Sequence, residues 1–137
     1  MPLQFLLDTN ILSEPLRARP DHGVMAKLKA HERAICTSTI VWHELRYGVV
    51  RMPDGSRRTL IAKYLDDVIG ATLPMLPYDG NAAAWHADER ARLEKAGKTR
   101  PFVDGMIAAV AAVNGLTLVT NNIADYEGFE LDVVRWH

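Results

Sequence analysis

Three carboxylates stand where a folded chain would ordinarily place apolar side chains: Asp8, Glu44 and Asp104. Asp8 ends the apolar run Leu3 to Leu7, Glu44 lies among Val41, Leu45 and Tyr47, and Asp104 runs into the apolar stretch Met106 to Val113. Each has a non-chemical explanation. Asp8 with Thr9-Asn10 could cap a helix, Glu44 could pair with Arg46 or Arg51 on an exposed face, and Asp104, just after Pro101, suits a helix's first turn. Together they say more. Brought into one cleft, like charges repel and at least one carboxyl must hold its proton more tightly. A divalent cation removes that conflict, and hard oxygen donors select Mg²⁺ or Mn²⁺.

Other chemistries lack their residues. His43-Glu44 begins like a zinc-protease helix, but Tyr47 occupies the place of the second histidine. His22, His31, His43, His86 and His137 show no recurrent ligand spacing. There is no GxxxxGK[ST] loop and no GxSxG elbow, and neither Ser38 nor Ser56 has a triad setting. An aspartyl-phosphate route wants a nearby lysine after the late strand, where the chain has Asn121. The polar stretch Asn121-Asn122-Ile123-Ala124-Asp125 is either a loop or the place from which Thr120, Asn122 or Asp125 completes the cleft.

The elements that must position these groups follow from periodicity. Strands are expected at Leu3 to Leu7, Ala34 to Ser38, Leu73 to Leu76, Leu116 to Thr120 and Leu131 to Trp136. Pro74 and Pro77 make the third short and edge-like. Helical patterns cover Ile11 to Leu16, Gly23 to His31, Ile40 to Arg51 capped by Thr39, and Ser56 to Ile69 with Leu60, Ile61, Tyr64, Leu65 and Val68 inward. A long helix from Gly80 to Ala96 is capped by Asp79 and stopped by Gly97, and another runs from Thr99-Pro101 to Val113, stopped by Gly115. Alternation of strands and helices predicts an α/β sandwich with a mostly parallel sheet. Asp8 then falls at a strand's carboxyl end, where such sheets place ligands. Trp42, Tyr47 and Trp85 are expected in the core rather than stacked on bases.

At 137 residues and 15.3 kDa the chain fits one domain, 1–137. Its longest apolar run is eight residues, against about 20 for a membrane span. No signal-peptide pattern precedes Asp8, and Cys36 has no disulfide partner. A cytoplasmic protein is expected. With 16 Lys+Arg against 17 Asp+Glu the net charge is −1, so bulk electrostatics announce no nucleic-acid binder. Locally the chain is sorted: Arg46, Arg51, Arg57, Arg58 and Lys63 face one acid, Asp54, whereas Asp125, Glu127, Glu130 and Asp132 face only Arg135. The basic segment is either a solvated helix face or a track for a nucleic-acid backbone.

The runs LLDTNILSEPL (6–16), TSTIVWHELRYGV (37–49) and FVDGMIAAVAAVNGLTLVTNN (102–122), closed by Asp125-Tyr126, resemble PIN-domain ribonucleases. The likeness is to toxin subunits of VapBC-type toxin–antitoxin pairs, including the FitB-like branch, and it covers essentially the whole chain. It implies a three-layer α/β/α PIN-like fold, Mg²⁺-dependent endoribonuclease activity with Mn²⁺ as substitute, a homodimer, and a cognate antitoxin that occludes the site and carries the toxin to DNA. Asp8, Glu44 and Asp104 match the family's acids and metal ligands. Asn122 stands where a fourth acid is common, so it joins the catalytic candidates without charge, and Asp125 looks more structural. The antitoxin would place a basic residue among the acids and an apolar segment between the first helices and the helix Ser56 to Ile69. The alternative is a catalytically inactive PIN-like binding module acting through its antitoxin at DNA, for which Asn122 is the only support.

Overall fold

A computed structural model describes residues 2–137; Met1 lies outside the described residues. Five strands form one sheet: β1 (Phe5–Leu7), β2 (Ile35–Ser38), β3 (Met75–Leu76), β4 (Thr117–Val119) and β5 (Val133–Val134), in the order β3-β2-β1-β4-β5. The expected "mostly parallel" sheet is parallel at every pairing. Phe5 faces Ile35 on one side and Thr117 on the other. As the central strand β1 is covered on both faces, which is why Leu6 and Leu7 are fully buried and the run shows no polar alternation. The proline-flanked β3 is the edge strand that its sequence predicts.

The helices are α1 (Thr9–Leu12), α2 (His22–Ala30), α3 (Thr39–Val50), α4 (Ser56–Tyr64), α5 (Gly70–Thr72), α6 (Gly80–Lys95) and α7 (Phe102–Val113), flanking the sheet in an α/β/α sandwich. Asp79 caps α6 as expected, accepting from the Ala82 amide at 2.9 Å. Within α7, Gly105 and the run Ile107, Ala108, Ala109, Val110 and Ala111 are buried, which accounts for its apolar composition. It ends before Gly115, whose φ of +66° suits glycine. No described helix is long and apolar enough to cross a membrane.

The one or two helical turns expected over Ile11 to Leu16 are the end of α1 and a 3₁₀ turn over Glu14–Leu16. Two expectations are corrected. Ser38, not Thr39, caps α3: its Oγ accepts from the Val41 amide at 3.1 Å, because β2 passes into the helix without an intervening loop residue. Leu60 and Val68 are exposed, at 58% and 48%, although their periodicity points inward. The helix widens into a π turn at Leu65–Ile69 before α5. Each residue of a π turn rotates the chain less than an α-helical step, so Ile69 comes round to the core in place of Val68. Leu60 falls on the outer side of the stripe formed by Ile61, Tyr64 and Leu65.

Candidate active site

Asp8 leaves the carboxyl end of the central strand and is 6% exposed. Both explanations offered for it are realised in one side chain. Its Oδ1 accepts from the Thr9 amide at 2.8 Å and caps α1. Its Oδ2 accepts from Thr120 Oγ1 at 2.8 Å and Tyr126 OH at 3.0 Å, with Asn10 Nδ2 at 3.5 Å. Thr120 is at the end of the neighbouring strand because β4 pairs with β1, Leu7 opposite Val119. Asn10 bridges the two strand ends, donating to Thr120 Oγ1 at 3.2 Å and accepting from the Asn121 amide at 2.9 Å. Burial and then the Asp8 charge push the Tyr126 hydroxyl well up, so it remains a donor.

Asp104 lies half-buried in the first turn of α7, and Glu44 is half-buried midway along α3. Together with Asp8, Asn122 and Asp125 they line a single cleft of about 360 Å³. Burial, followed by the charges of Asp8, Asp125 and Glu44, pushes the Asp104 carboxyl up to about 6. The repulsion expected of gathered acids is therefore present. Asp125, one of the residues the sequence offers to complete the cleft although the family pattern makes it look more structural, lines the cleft and contributes to that repulsion. The 3₁₀ turn Ile123–Tyr126 explains the double role: it buries Tyr126 under Asp8 while turning Asp125 outward to the cleft.

The donor set is all oxygen, and its crowded negative charge suits a hard cation. Among the described residues, no three Asp, Glu, His or Cys side chains are close enough to enclose an ion as they stand. The supporting bonds from Thr120, Asn10 and Tyr126 fix Asp8 as outer-shell partners fix a ligand. From sequence Asn10 reads only as a turn residue and Tyr126 only as part of a motif; Tyr126 reaches Asp8 across 118 positions and Asn10 reaches Thr120 across 110, contacts that leave no local pattern.

Asp104 is seated by a close approach behind it. A Cβ at Gly105 would lie 2.2 Å from His86 Nε2, so only glycine lets the buried His86 ring press on the backbone of α7. His86 Nδ1 is 2.9 Å from Tyr78 OH, and burial, then Arg90, lowers its proton affinity. The basic track expected from Arg46 to Lys63 is partly spent: Arg46 pairs with Asp66 at 2.7 Å and Arg58 with Asp54 at 2.8 Å. Tyr47 is half exposed rather than core, with Arg51 over its ring at 5.1 Å, whereas Trp42 and Trp85 pack against the core.

Residues 5–124 match the PIN domain family. This chain is a PIN-domain protein. Among its relatives, VapC ribonuclease Y4jK of Sinorhizobium fredii is 36% identical over 136 residues, covering 95% of each chain. Toxin FitB of Neisseria gonorrhoeae is 34% identical over 139 residues, covering 96% of this chain and 98% of FitB. A solved structure of FitAB bound to an IR36 DNA fragment superposes with a TM-score of 0.91 at 30% identity, covering 98% of this chain and 96% of that one. The PIN fold thus places Asp8, Glu44, Asp104, Asn122 and Asp125 around one opening, drawn from β1, α3, α7 and the turn after β4.

Proposed function

We propose that this PIN-domain protein is a metal-dependent endoribonuclease, the toxin of a type II toxin–antitoxin pair. The observation that carries the reading is the cleft of four carboxylates in which the Asp104 carboxyl is pushed up to about 6. Such an arrangement costs the apo protein stability and is relieved by a cation. The names of the relatives, a VapC ribonuclease and the toxin FitB, support the same class.

In this reading Asp8 and Asp104 hold Mg²⁺, or Mn²⁺ in its place. Bound there, the ion would polarise a phosphodiester and lower the pKa of a water. Glu44 completes the donor set or orients the attacking water as a base. Thr120, Tyr126 and Asn10 hold Asp8 through Oδ2, which leaves Oδ1, accepting only from the Thr9 amide, as the oxygen with capacity for an ion. Asn122 offers a carbonyl without charge, and Asp125 supplies the fourth negative charge.

A cognate antitoxin inhibits by placing a basic side chain among the acids. Its apolar segment lies in the hollow lined by Leu12, Met25, Leu28, Tyr64, Val68 and Leu73, between α1, α2 and the π turn. DNA is reached through that partner, as FitAB is seen on DNA, and the toxin pairs with a second copy. A cytoplasmic setting suits the single buried thiol of Cys36.

The test is cleavage of a pool of structured RNA hairpins with Mg²⁺, with Mn²⁺ and with EDTA. Metal-dependent cutting that Asp104→Asn loses is the expected result. Cutting that persists in EDTA or in the variant overturns the assignment. If folded protein cuts nothing and wild type binds Mn²⁺ no better than Asp104→Asn, the chain is a binding module.

A further inference from the structure

Beside the acid cleft lies a second surface of opposite sign. The connection from α6 to α7 carries Lys98 and Arg100, and Arg90 on α6 lines the same small depression. Lys98 and Arg90 are exposed. Arg90 shares its charge with Glu94 at 3.4 Å, an exposed pair that holds it weakly. Arg100 is half-buried, and its Nη1 donates to the Ala124 carbonyl at 3.1 Å, next to Asp125. Its Nε is buried without a partner.

Phe102, half exposed, and Val103 at 38% join this surface to the cleft, which Val103 itself lines. The Arg90 guanidinium lies over the Phe102 ring at 5.2 Å. Stacking of that kind holds the fork of N–H donors in a plane while leaving its outer edge open, the geometry that suits a phosphate. On α3 and α4, Arg46 and Arg58 pair with carboxylates at 2.7 and 2.8 Å, closer than the 3.4 Å between Arg90 and Glu94.

We propose that Arg90, Lys98 and Phe102 bind the RNA strand where it enters the cleft, the cations on its phosphates and the aromatic ring against an unpaired base. This rests on the ribonuclease reading and adds where the substrate lies. Cations interleaved with an exposed aromatic, two residues from Asp104, fit a single strand better than a duplex, because only an unstacked base can reach the ring. Arg100 ties the start of α7 to the turn of Asp125 and positions the surface rather than lending its charge to solvent.

The experiment has two arms. Binding of fluorescein-labelled RNA hairpins is measured by anisotropy across a salt series in the Asp104→Asn background, where RNA is not cut. Cleavage kinetics are measured in the otherwise native protein. Phe102→Ala should weaken binding about tenfold and raise KM with kcat unchanged, and Phe102→Tyr should restore both. Replacing Arg90 and Lys98 together by Ala should flatten the plot of log K against log salt by about 1.4. Unchanged affinity and slope, with losses instead in Arg51→Ala and Lys63→Ala, would place the RNA at α3 and α4 and overturn the proposal while leaving the nuclease intact. Variants that bind RNA normally but escape antitoxin would assign the surface to the protein partner and overturn it too. Wild type that neither cuts nor binds RNA overturns the ribonuclease reading and this proposal with it.

Discussion

The acid cleft and the apolar hollow between α1, α2 and the π turn have nearly the same volume, about 360 and 350 Å³, yet they are built in opposite ways. The cleft gathers charges that repel one another and fixes one of them, Asp8, with donors from distant parts of the chain. The hollow is walled by side chains that also close the core, such as Leu12 at 4% and Ile69 at 2% exposure. The short helix α1 joins the two. Asp8 caps its start, Leu12 lines the hollow at its end, and Tyr64 OH donates to the Leu12 carbonyl at 3.0 Å. One region is held in place at a cost to stability, and the other contributes to it. Substitutions should therefore separate them cleanly.

The largest effect is expected in the cleft. Asp104→Asn or Asp8→Asn should lower metal-dependent cleavage at least about 100-fold, and Asp104→Asn should melt no lower than wild type. Destabilisation by Asp104→Asn, measured without metal, would break the contrast. Ile69→Ala should do the reverse, costing about 2–5 kcal/mol in urea unfolding while leaving Mn²⁺ affinity unchanged. Gly105→Ala should cost about 1–3 kcal/mol, since the new methyl meets the buried His86 ring. His86→Ala should recover part of that loss in the double variant.

The pH dependence sharpens the same comparison. The Asp104 carboxyl is raised from an ordinary 3.8 to about 6 in the folded chain. The native state thus binds the proton more tightly than the unfolded one, and the charged form costs stability above about 6. That cost fades as pH falls through the window from about 6 to 3.8, where both states become protonated. The melting difference between Asp104→Asn and wild type, without metal, should shrink across this window. Saturating Mn²⁺ should abolish it at neutral pH. The smallest effect on stability is expected from Val68→Asp, within about 0.5 kcal/mol, because that side chain is half exposed; loss of antitoxin binding, read by co-purification, would be its only consequence.

Much of this architecture is legible in the sequence because it is local. Strand positions, the Asp79 cap and the edge character of β3 follow from residues within a few places of each other. The three acids stand out because each contradicts its apolar neighbours. What escapes is what depends on distant partners or on helix geometry. Tyr126 meets Asp8 across 118 positions, and Asn10 meets Asn121 across 111. Val68 fits an ideal amphipathic stripe, and only the π turn removes it from the core. The role of Asp125 stays open in the sequence for a related reason: adjacent residues in a tight turn can face opposite environments, and only the fold shows Asp125 on the cleft beside a buried Tyr126.

The central strand also sets a timetable. β1 is among the first segments made, yet its pairing with β4 and the hydroxyl of Thr120 wait for residues 112 places later. At about 5–20 residues per second, the ribosome needs roughly ten seconds to supply them. Until then β1 has only β2 beside it, Asp8 has no Thr120 and no Tyr126, and Asp104 has no completed cleft to face. A nascent chain consequently lacks the assembled acid cleft for nearly its whole synthesis, and the cleft is complete only once the turn Ile123–Tyr126 has been made.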